Sequence, residues 1–389
     1  MSSTGTDADQ HATQRFLALR ERVRQHGLID DIASLEPDID LVQDPRIKGE
    51  MARLLGFFWL RRGNLTRAVE LCDVANTALG GDPDAAYNAI FGQFQAGHWA
   101  DVEARAKAAC ERWSDHFEFP NILSTTLGAL GRTKEARGFG TRALILKDAG
   151  ATATAFDLAR VPVPPFDPSD PRRNIIAFSL FGTDPRYTDG AVLNARAARF
   201  LYLGWTCRFY VDDSVPQAIL QTLMAEGAQV MAVRGLPSEP YGTFWRFLVA
   251  DDTDVTRFLV RDADSVVNIR EKVAVEEWLA STRHFHLMRD HYDHSELVLA
   301  GMWGGVRGAL PPLLPAMQAY LTSPRHILGR TADQEFLRER LWPTIRQSLL
   351  THDSQFAFGE SRDFPAVGQL PPGLWVGCDG RKMFGGVSV

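Results

Sequence analysis

Two aspartates stand one residue apart in Asp262-Ala263-Asp264, directly after the apolar run Phe258-Leu259-Val260. The run reads as the end of a buried strand. Residues two apart along a strand share a side, so both carboxylates are placed to face one spot where the strand leaves the sheet. Burying two like charges without compensation costs on the order of several kcal/mol. A divalent cation removes that cost. Hard oxygen ligands in a short pair suit Mg2+ or Mn2+, which usually keep waters and share their remaining positions with substrate phosphates. The pair is therefore read as a metal–diphosphate site. An Asp-x-Asp triplet is common in solvated turns, so its meaning depends on what surrounds it.

Other residues with chemistry to offer lie around it. Arg246, in Phe244-Trp245-Arg246-Phe247, and Arg261 are candidates to lay a guanidinium fork on a phosphate. The run 297–305 ends in a glycine-rich corner, Ala300-Gly301-Met302-Trp303-Gly304-Gly305. Trp303 offers an apolar face to a sugar or base if it is exposed, and a core aromatic if it is not. Arg289-Asp290 reads as site-lining, with Asp290 the alternative catalytic carboxylate. Asp333-Gln334 stands at an expected helix start, and His352 follows in Thr351-His352-Asp353. His284, His286, His291 and His294 lack a clear tetrahedral ligand spacing and read as hydrogen-bonded structural histidines.

These residues need a scaffold. Strand-like runs at 174–180, 207–211, 228–233 and 258–260 alternate with helix-like runs at 189–202, 215–226 and 241–250. Such alternation implies a mostly parallel sheet covered by helices, with ligands bound beyond the carboxyl ends of the strands. No GxGxxG follows the first strand and no Walker-type loop is present, which disfavours a dinucleotide or P-loop fold. A stretch with five prolines in eleven residues, 161–171, reads as an extended connector.

Before it the chain repeats. Gly63, Gly97 and Gly131 are spaced by 34 residues, with Ala68, Val102 and Ala136 five residues after each and Ala75, Ala109 and Ala143 seven further on. The period and the small positions resemble tetratricopeptide repeats, in three units over about 49–82, 83–116 and 117–150. The expected organisation is an all-α repeat domain over 1–160, the linker 161–171 and an α/β domain over 172–389.

Within the α/β part, the order of strand-borne Asp-x-Asp, strand-borne Gly-Met, helix-borne Asp-Gln and late His resembles nucleotide-sugar-dependent glycosyltransferases of the GT-A fold, in the glycogenin-like logic. The resemblance covers about 172–356. It implies a Rossmann-like mixed sheet, a nucleoside-diphosphate sugar donor, and Mn2+ or Mg2+ held by Asp262, Asp264 and His352. It further implies Asp333 and Gln334 beside the donor sugar, Gly301 and Met302 under it, and transfer with retention, as in a hexosyltransferase. The sequence after His352 lacks the Gly, Lys and Pro-Trp that follow the histidine of that group.

Composition is that of a globular chain, 45% hydrophobic and 23% charged, with net charge −6. That balance argues against a general nucleic-acid binder. Four scattered cysteines suggest no disulfide framework. No signal peptide or membrane span is legible, so a cytoplasmic location is expected. The function expected is a metal-dependent glycosyltransferase. Its repeat domain makes a protein or peptide acceptor the first candidate, with a glycan or lipid-linked acceptor open. The alternatives are a non-catalytic repeat scaffold and a metal-dependent phosphohydrolase or nucleotidyltransferase.

Overall fold

The computed structural model describes residues 3–26, 28–323, 331–356 and 358–380. The chain divides into two compact units, 1–146 and 147–389.

The first unit is helical. After α1 (Ser3–His26) and a 3-10 helix (Asp30–Asp38) come three helical hairpins. They are α2 (Pro45–Arg61) with α3 (Leu65–Ala78), α4 (Pro83–Gln95) with α5 (Trp99–Arg112), and α6 (Glu118–Ala129) with α7 (Thr133–Gly150). The second helices start at Leu65, Trp99 and Thr133, a 34-residue period. Gly63, Gly97 and Gly131 turn the chain between the helices at φ +77°, +77° and +75°, a conformation that only glycine adopts without strain. Ala68, Val102, Ala136, Ala75, Ala109 and Ala143 are all buried, as close helix pairing requires. The unit is tetratricopeptide-like. Asp44, Asn64 and Asp82 cap α2, α3 and α4 by accepting backbone N–H bonds. The first helix, α1, begins at Ser3. Ala12, Phe16, Leu19 and Val23 form its buried stripe, packed with Ile32, Leu35 and Met51.

The second unit is mixed α/β. Its elements are β1 (Asn174–Leu180), α8 (Pro185–Leu201), β2 (Thr206–Val211), α9 (Gln217–Ala225), β3 (Gln229–Ala232), α10 (Ser238–Tyr241), a 3-10 helix (Gly242–Asp251), β4 (Arg257–Arg261), α11 (Ile269–Leu279), β5 (Phe285–Arg289), β6 (Met302–Val306), α12 (Leu313–Leu321), α13 (Ala332–Phe336), a π-helical turn (Leu337–Leu341), α14 (Trp342–Ile345), β7 (Leu349–Asp353) and β8 (Ser361–Arg362). The strands form one sheet in the order β3-β2-β1-β4-β6-β5-β7-β8. β6 runs antiparallel to both its neighbours, β4 and β5, while the other pairings are parallel. Ile176, Phe178, Phe209, Leu259, Val275 and Trp278 lie in the core, with Phe178 stacked on Phe209 at 4.7 Å.

Three expectations change. The run 297–305 pairs as a strand only from Met302. The helix expected over 241–250 is a tighter 3-10 helix. The proline-rich stretch does not mark the division between units; it is packed within the second. Its carbonyls are acceptors for buried donors: Pro164 O takes Arg257 Nη2 at 2.6 Å, and Asp167 O takes Asn174 Nδ2 at 2.8 Å. Phe166 stacks on Trp205. Proline removes N–H groups but keeps carbonyls, which suits a segment that serves as an acceptor rail.

Among the described residues, no helix is long and apolar enough to cross a membrane, and the four cysteines are buried and form no disulfide.

Candidate active site

β4 leads the chain to the aspartate pair at the carboxyl edge of the sheet. The loop that carries the pair is fixed from one side by α8. Gly190 packs so tightly that a methyl group on it would overlap Ala263 O. Four residues on, the buried Asn194 donates to Ala263 O (3.2 Å) and Ser265 O (3.0 Å) and accepts from Val267 N (3.0 Å). One amide thus satisfies three backbone groups of the loop, which would otherwise be costly to bury.

The two carboxylates are held by different arginines. Arg246 donates to Asp262 Oδ1 with Nη1 and to Asp333 Oδ2 with Nη2, the latter at 2.8 Å. Its own backbone N–H donates to Ser179 Oγ on β1 at 3.0 Å. Burial works against the Arg246 cation, and Asp262 and Asp333 outweigh it, so its pKa is raised. Asp264 pairs with Arg186, in the first turn of α8. Arg186 Nε also lies 3.4 Å from Asp379 Oδ2. The side chain of Asp262 is 43% exposed and that of Asp264 12%, so the site opens to solvent at Asp262.

Three carboxylates, Asp262, Asp264 and Asp333, share two guanidinia, and Asp379 adds a fourth at the rim. Among the described residues the cluster is therefore net negative. Burial first, and then the charge of Asp262, raise the carboxyl pKa of Asp264. Burial likewise raises that of Asp333 in spite of Arg246, with Asp262 adding to the rise.

The other side of the site comes from β6. In the β4–β6 register Arg261 faces Met302 and Val260 faces Trp303, which brings Gly301 to Asp262. A methyl group on Gly301 would overlap Asp262 Oδ2. Gln334, next to Asp333, accepts from Ala300 N with Oε1 at a long 3.5 Å. Asp262, Gly301, Asp333 and Gln334 are thus gathered from β4, β6 and α13. A strap, residues 375–380, crosses the same edge. Gly380 N donates to Asp264 O (2.7 Å) and Ser265 Oγ to Gly377 O (2.8 Å), and Gly377 lies against the Met302 sulfur.

Four residues expected in the site are placed elsewhere. Arg261 is one residue from Asp262 and so points to the opposite side of the strand. It is buried against Glu271 (3.3 Å) and donates to Val260 O and Trp303 O. Trp303 is 1% exposed, edge-on to Phe258 and near Phe247; it is a core aromatic. Asp290 has both oxygens engaged, by Arg270 (2.9 Å twice), Ser354 Oγ (2.7 Å) and Val376 N (3.0 Å). It serves as a clamp for the strap. His352 is bound at both ring nitrogens, by Glu277 Oε2 at 3.0 Å and by His286 Nε2 at 2.9 Å. Its strand β7 is separated from β4 by β6 and β5, three spacings of ~4.8 Å. Among the described residues, no group of three or more His, Cys, Asp or Glu side chains is arranged to hold a metal. Two carboxylates in a net negative cluster, with the backbone of Gly301 drawn in against one, fit a hard cation that completes its shell from water and phosphate. The nitrogen ligand does not fit.

Sequence reasoning missed Arg186, Gly190, Asn194 and Asp379. The first three recur at i, i+4 and i+8 on α8, which places them on one helix face. A cation, a glycine and an amide at that spacing are a legible sign that a helix face meets something other than an apolar core. Asp379 carries no such local sign. A cavity of about 420 Å3 lined by Ser281, Arg283, Leu349, Glu360 and Arg362 adjoins the starts of β5 and β7. It is at the opposite edge of the sheet from the aspartates.

No family model matches the chain, and no curated protein matches it. Solved structures similar to it include MamA of AMB-1, at 17% identity over 38% of this chain and 74% of that one, with a TM-score of 0.28. MamA of MSR-1 is 20% identical over 34% of this chain and 76% of that one, with a TM-score of 0.28. A mutant O-GlcNAc transferase of Thermobaculum terrenum is 20% identical over 67% of this chain, with a TM-score of 0.35, and the chain spans 47% of its length. At such TM-scores the likeness decides neither fold nor activity.

Proposed function

We propose that the chain is a divalent-metal-dependent glycosyltransferase with a GT-A-like α/β domain, taking its sugar from a nucleoside diphosphate. The observation that supports this reading most is the meeting of Asp262, Asp264, Gly301 and the Asp333–Gln334 pair at one carboxyl edge, where mixed and parallel sheets bind ligands. Asp262 and Asp264 would hold Mn2+ or Mg2+. Such an ion, when bound, neutralises charge gathering on a departing diphosphate without proton transfer. Arg246 orients Asp262 and keeps Asp333 in register with it. Gly301 leaves room for the carboxylate of Asp262 itself, and Gln334, beside Asp333, brings a side-chain amide suited to a hydroxyl. Retention of configuration rests on the resemblance alone. The repeat unit would recruit a protein or peptide acceptor, as concave helical repeats commonly do.

Titration calorimetry with Mn2+ and nucleoside diphosphates tests the reading. Heat with at least one base is expected, and Asp264→Asn is expected to abolish metal-supported hydrolysis of the sugar donor. Full activity in that variant removes the pair from the chemistry.

A second reading has its own support. Trp303 is buried and His352 is engaged elsewhere, so neither supplies the sugar platform or the nitrogen ligand expected of it beside the pair. A phosphohydrolase or nucleotidyltransferase needs neither. Phosphate release from a nucleotide that carries no sugar would favour it over sugar transfer. Absence of turnover and of nucleotide binding together would leave the repeat unit as a scaffold.

A further inference from the structure

The strap 375–380 is fastened to the site by charge as well as by backbone bonds. Val376 N is clamped by Asp290, Gly377 O by Ser265, and Gly380 N by Asp264 O. These bonds set Asp379 beside Arg186, the cation that also pairs with Asp264. Arg186 is only partly satisfied. Its Nε is buried and makes no hydrogen bond, since the ion pair to Asp379 is long. A guanidinium wedged between two carboxylates, its side chain 32% exposed as a whole and with one inward donor unused, is placed for a stronger anion than either.

We propose that Arg186 is the diphosphate-binding cation of this site and that Asp379 on the strap occupies it in competition with the diphosphate. The inference rests on the diphosphate reading given above but not on sugar transfer. A diphosphate offers several charged acceptor oxygens where Asp379 offers one at long range, and a guanidinium binds such oxygens two at a time. Its arrival displaces Asp379 and loosens the strap, while Asp264 keeps its hold on the other side of Arg186. The chemistry recognised is a free or a nucleoside-linked diphosphate.

The experiment measures inorganic pyrophosphate and nucleoside diphosphates, each with Mn2+, by calorimetry on the full chain. Hydrogen exchange over 375–380 is followed in parallel. Arg186→Gln is expected to weaken pyrophosphate binding about tenfold or more, as the loss of a charge-assisted fork does. Asp379→Asn is expected to tighten it roughly three- to fivefold, the range of one partly exposed ion pair. Gly377→Val, whose side chain cannot fit against Met302 and whose backbone is at φ +89°, dislodges the strap without changing charge and is expected to tighten binding likewise. Exchange over 375–380 accelerates when pyrophosphate binds. Equal affinity in wild type, Asp379→Asn and Gly377→Val, with unchanged exchange, overturns the proposal even if a sugar donor is turned over. Pyrophosphate binding that obeys Arg186 and Asp379 without any turnover of a sugar donor upholds it and overturns the transferase reading. No diphosphate binding by wild type or by either strap variant overturns both.

Discussion

Gly301 lies against Asp262 so closely that no side chain fits between them. The contact joins the first residue before β6 to the first residue after β4. Gly301→Ala is expected to push the Asp262 carboxylate aside, at a cost of about 1–3 kcal/mol in stability, the usual penalty of overpacking. Metal affinity, read by Mn2+ titration, should fall about tenfold or more, since a displaced ligand no longer shares an ion with Asp264. Unchanged affinity would mean that Asp262 does not hold the cation.

Arg246 is the counter-ion of two carboxylates at once. Arg246→Met leaves the buried Asp333 without a cation, and removing one partner of a buried ion pair costs about 3–5 kcal/mol. The loss should appear in urea unfolding at neutral pH. It should shrink in acid, where Asp333 takes up a proton and no longer needs the guanidinium.

The aspartate cluster also gives the wild type a pH signature. Asp264 and Asp333 have raised carboxyl pKa values, through burial first and the charge of Asp262 after it. The folded state therefore holds protons that the unfolded chain has lost. Their contribution to stability is full below the ordinary aspartate pKa of 3.8 and is lost as pH rises through the folded values. Divalent metal should reverse this, since it binds the ionised pair. Stability gained on adding Mn2+ is expected to grow with pH from weakly acid to neutral, measured by thermal shift.

The histidines act with the opposite sign. Burial lowers the pKa of His286 and His352 and takes that of His294 to about 4. These groups are neutral in the fold while the unfolded chain charges at about 6.5. Their contribution is present above that value and is lost as pH falls through the folded values. Urea midpoints between pH 7.5 and 5 should therefore drop, and the drop should lessen in His352→Gln. That variant should keep its Mn2+ affinity, because His352 is committed to Glu277 and His286. A loss of metal binding would restore it as a ligand.

In the repeat unit, the turn glycines and the buried alanines should respond differently to substitution. Gly97→Ala meets open space but must adopt φ +77°, a strain of about 1–2 kcal/mol. Ala109→Leu keeps an easy backbone but must displace packed neighbours, at about 1–3 kcal/mol or more. Native-state hydrogen exchange across α4 and α5 would separate a local opening in the first from a wider loss of protection in the second.

Much of this was legible in the chain and some was not, for physical reasons. The 34-residue period shows because each hairpin must meet the next with the same small residues. β1 is readable to the residue, since a strand buried on both faces is a nearly continuous apolar run, here interrupted after Asn174 only by Ser179. The Asp262/Asp264 pair is visible because charge at the end of such a run is conspicuous. Arg261 misleads, since adjacency in sequence means opposite faces in a strand. Trp303 misleads because a tryptophan among glycines looks exposed, whereas those glycines make room for Phe258 and Phe285. Asp379 is invisible from its neighbours; it reaches Arg186 because a distant segment is clamped at Asp290, Ser265 and Asp264.

The antiparallel run of β6 has a consequence for folding. Its antiparallel neighbours β4 and β5 reach the rim at their last residues, but β6 reaches it at its first, so the chain descends from Gly301 just where it climbs out at Asp262. A slip of one position between β4 and β6 would set Met302 in place of Gly301 and turn every β6 side chain over. Thioether would then fill the gap that the carboxylate needs. Correct alignment of two strands that run in opposite directions is thus the assembly step on which the chemistry waits, and a misaligned chain would be both poorly packed and inert.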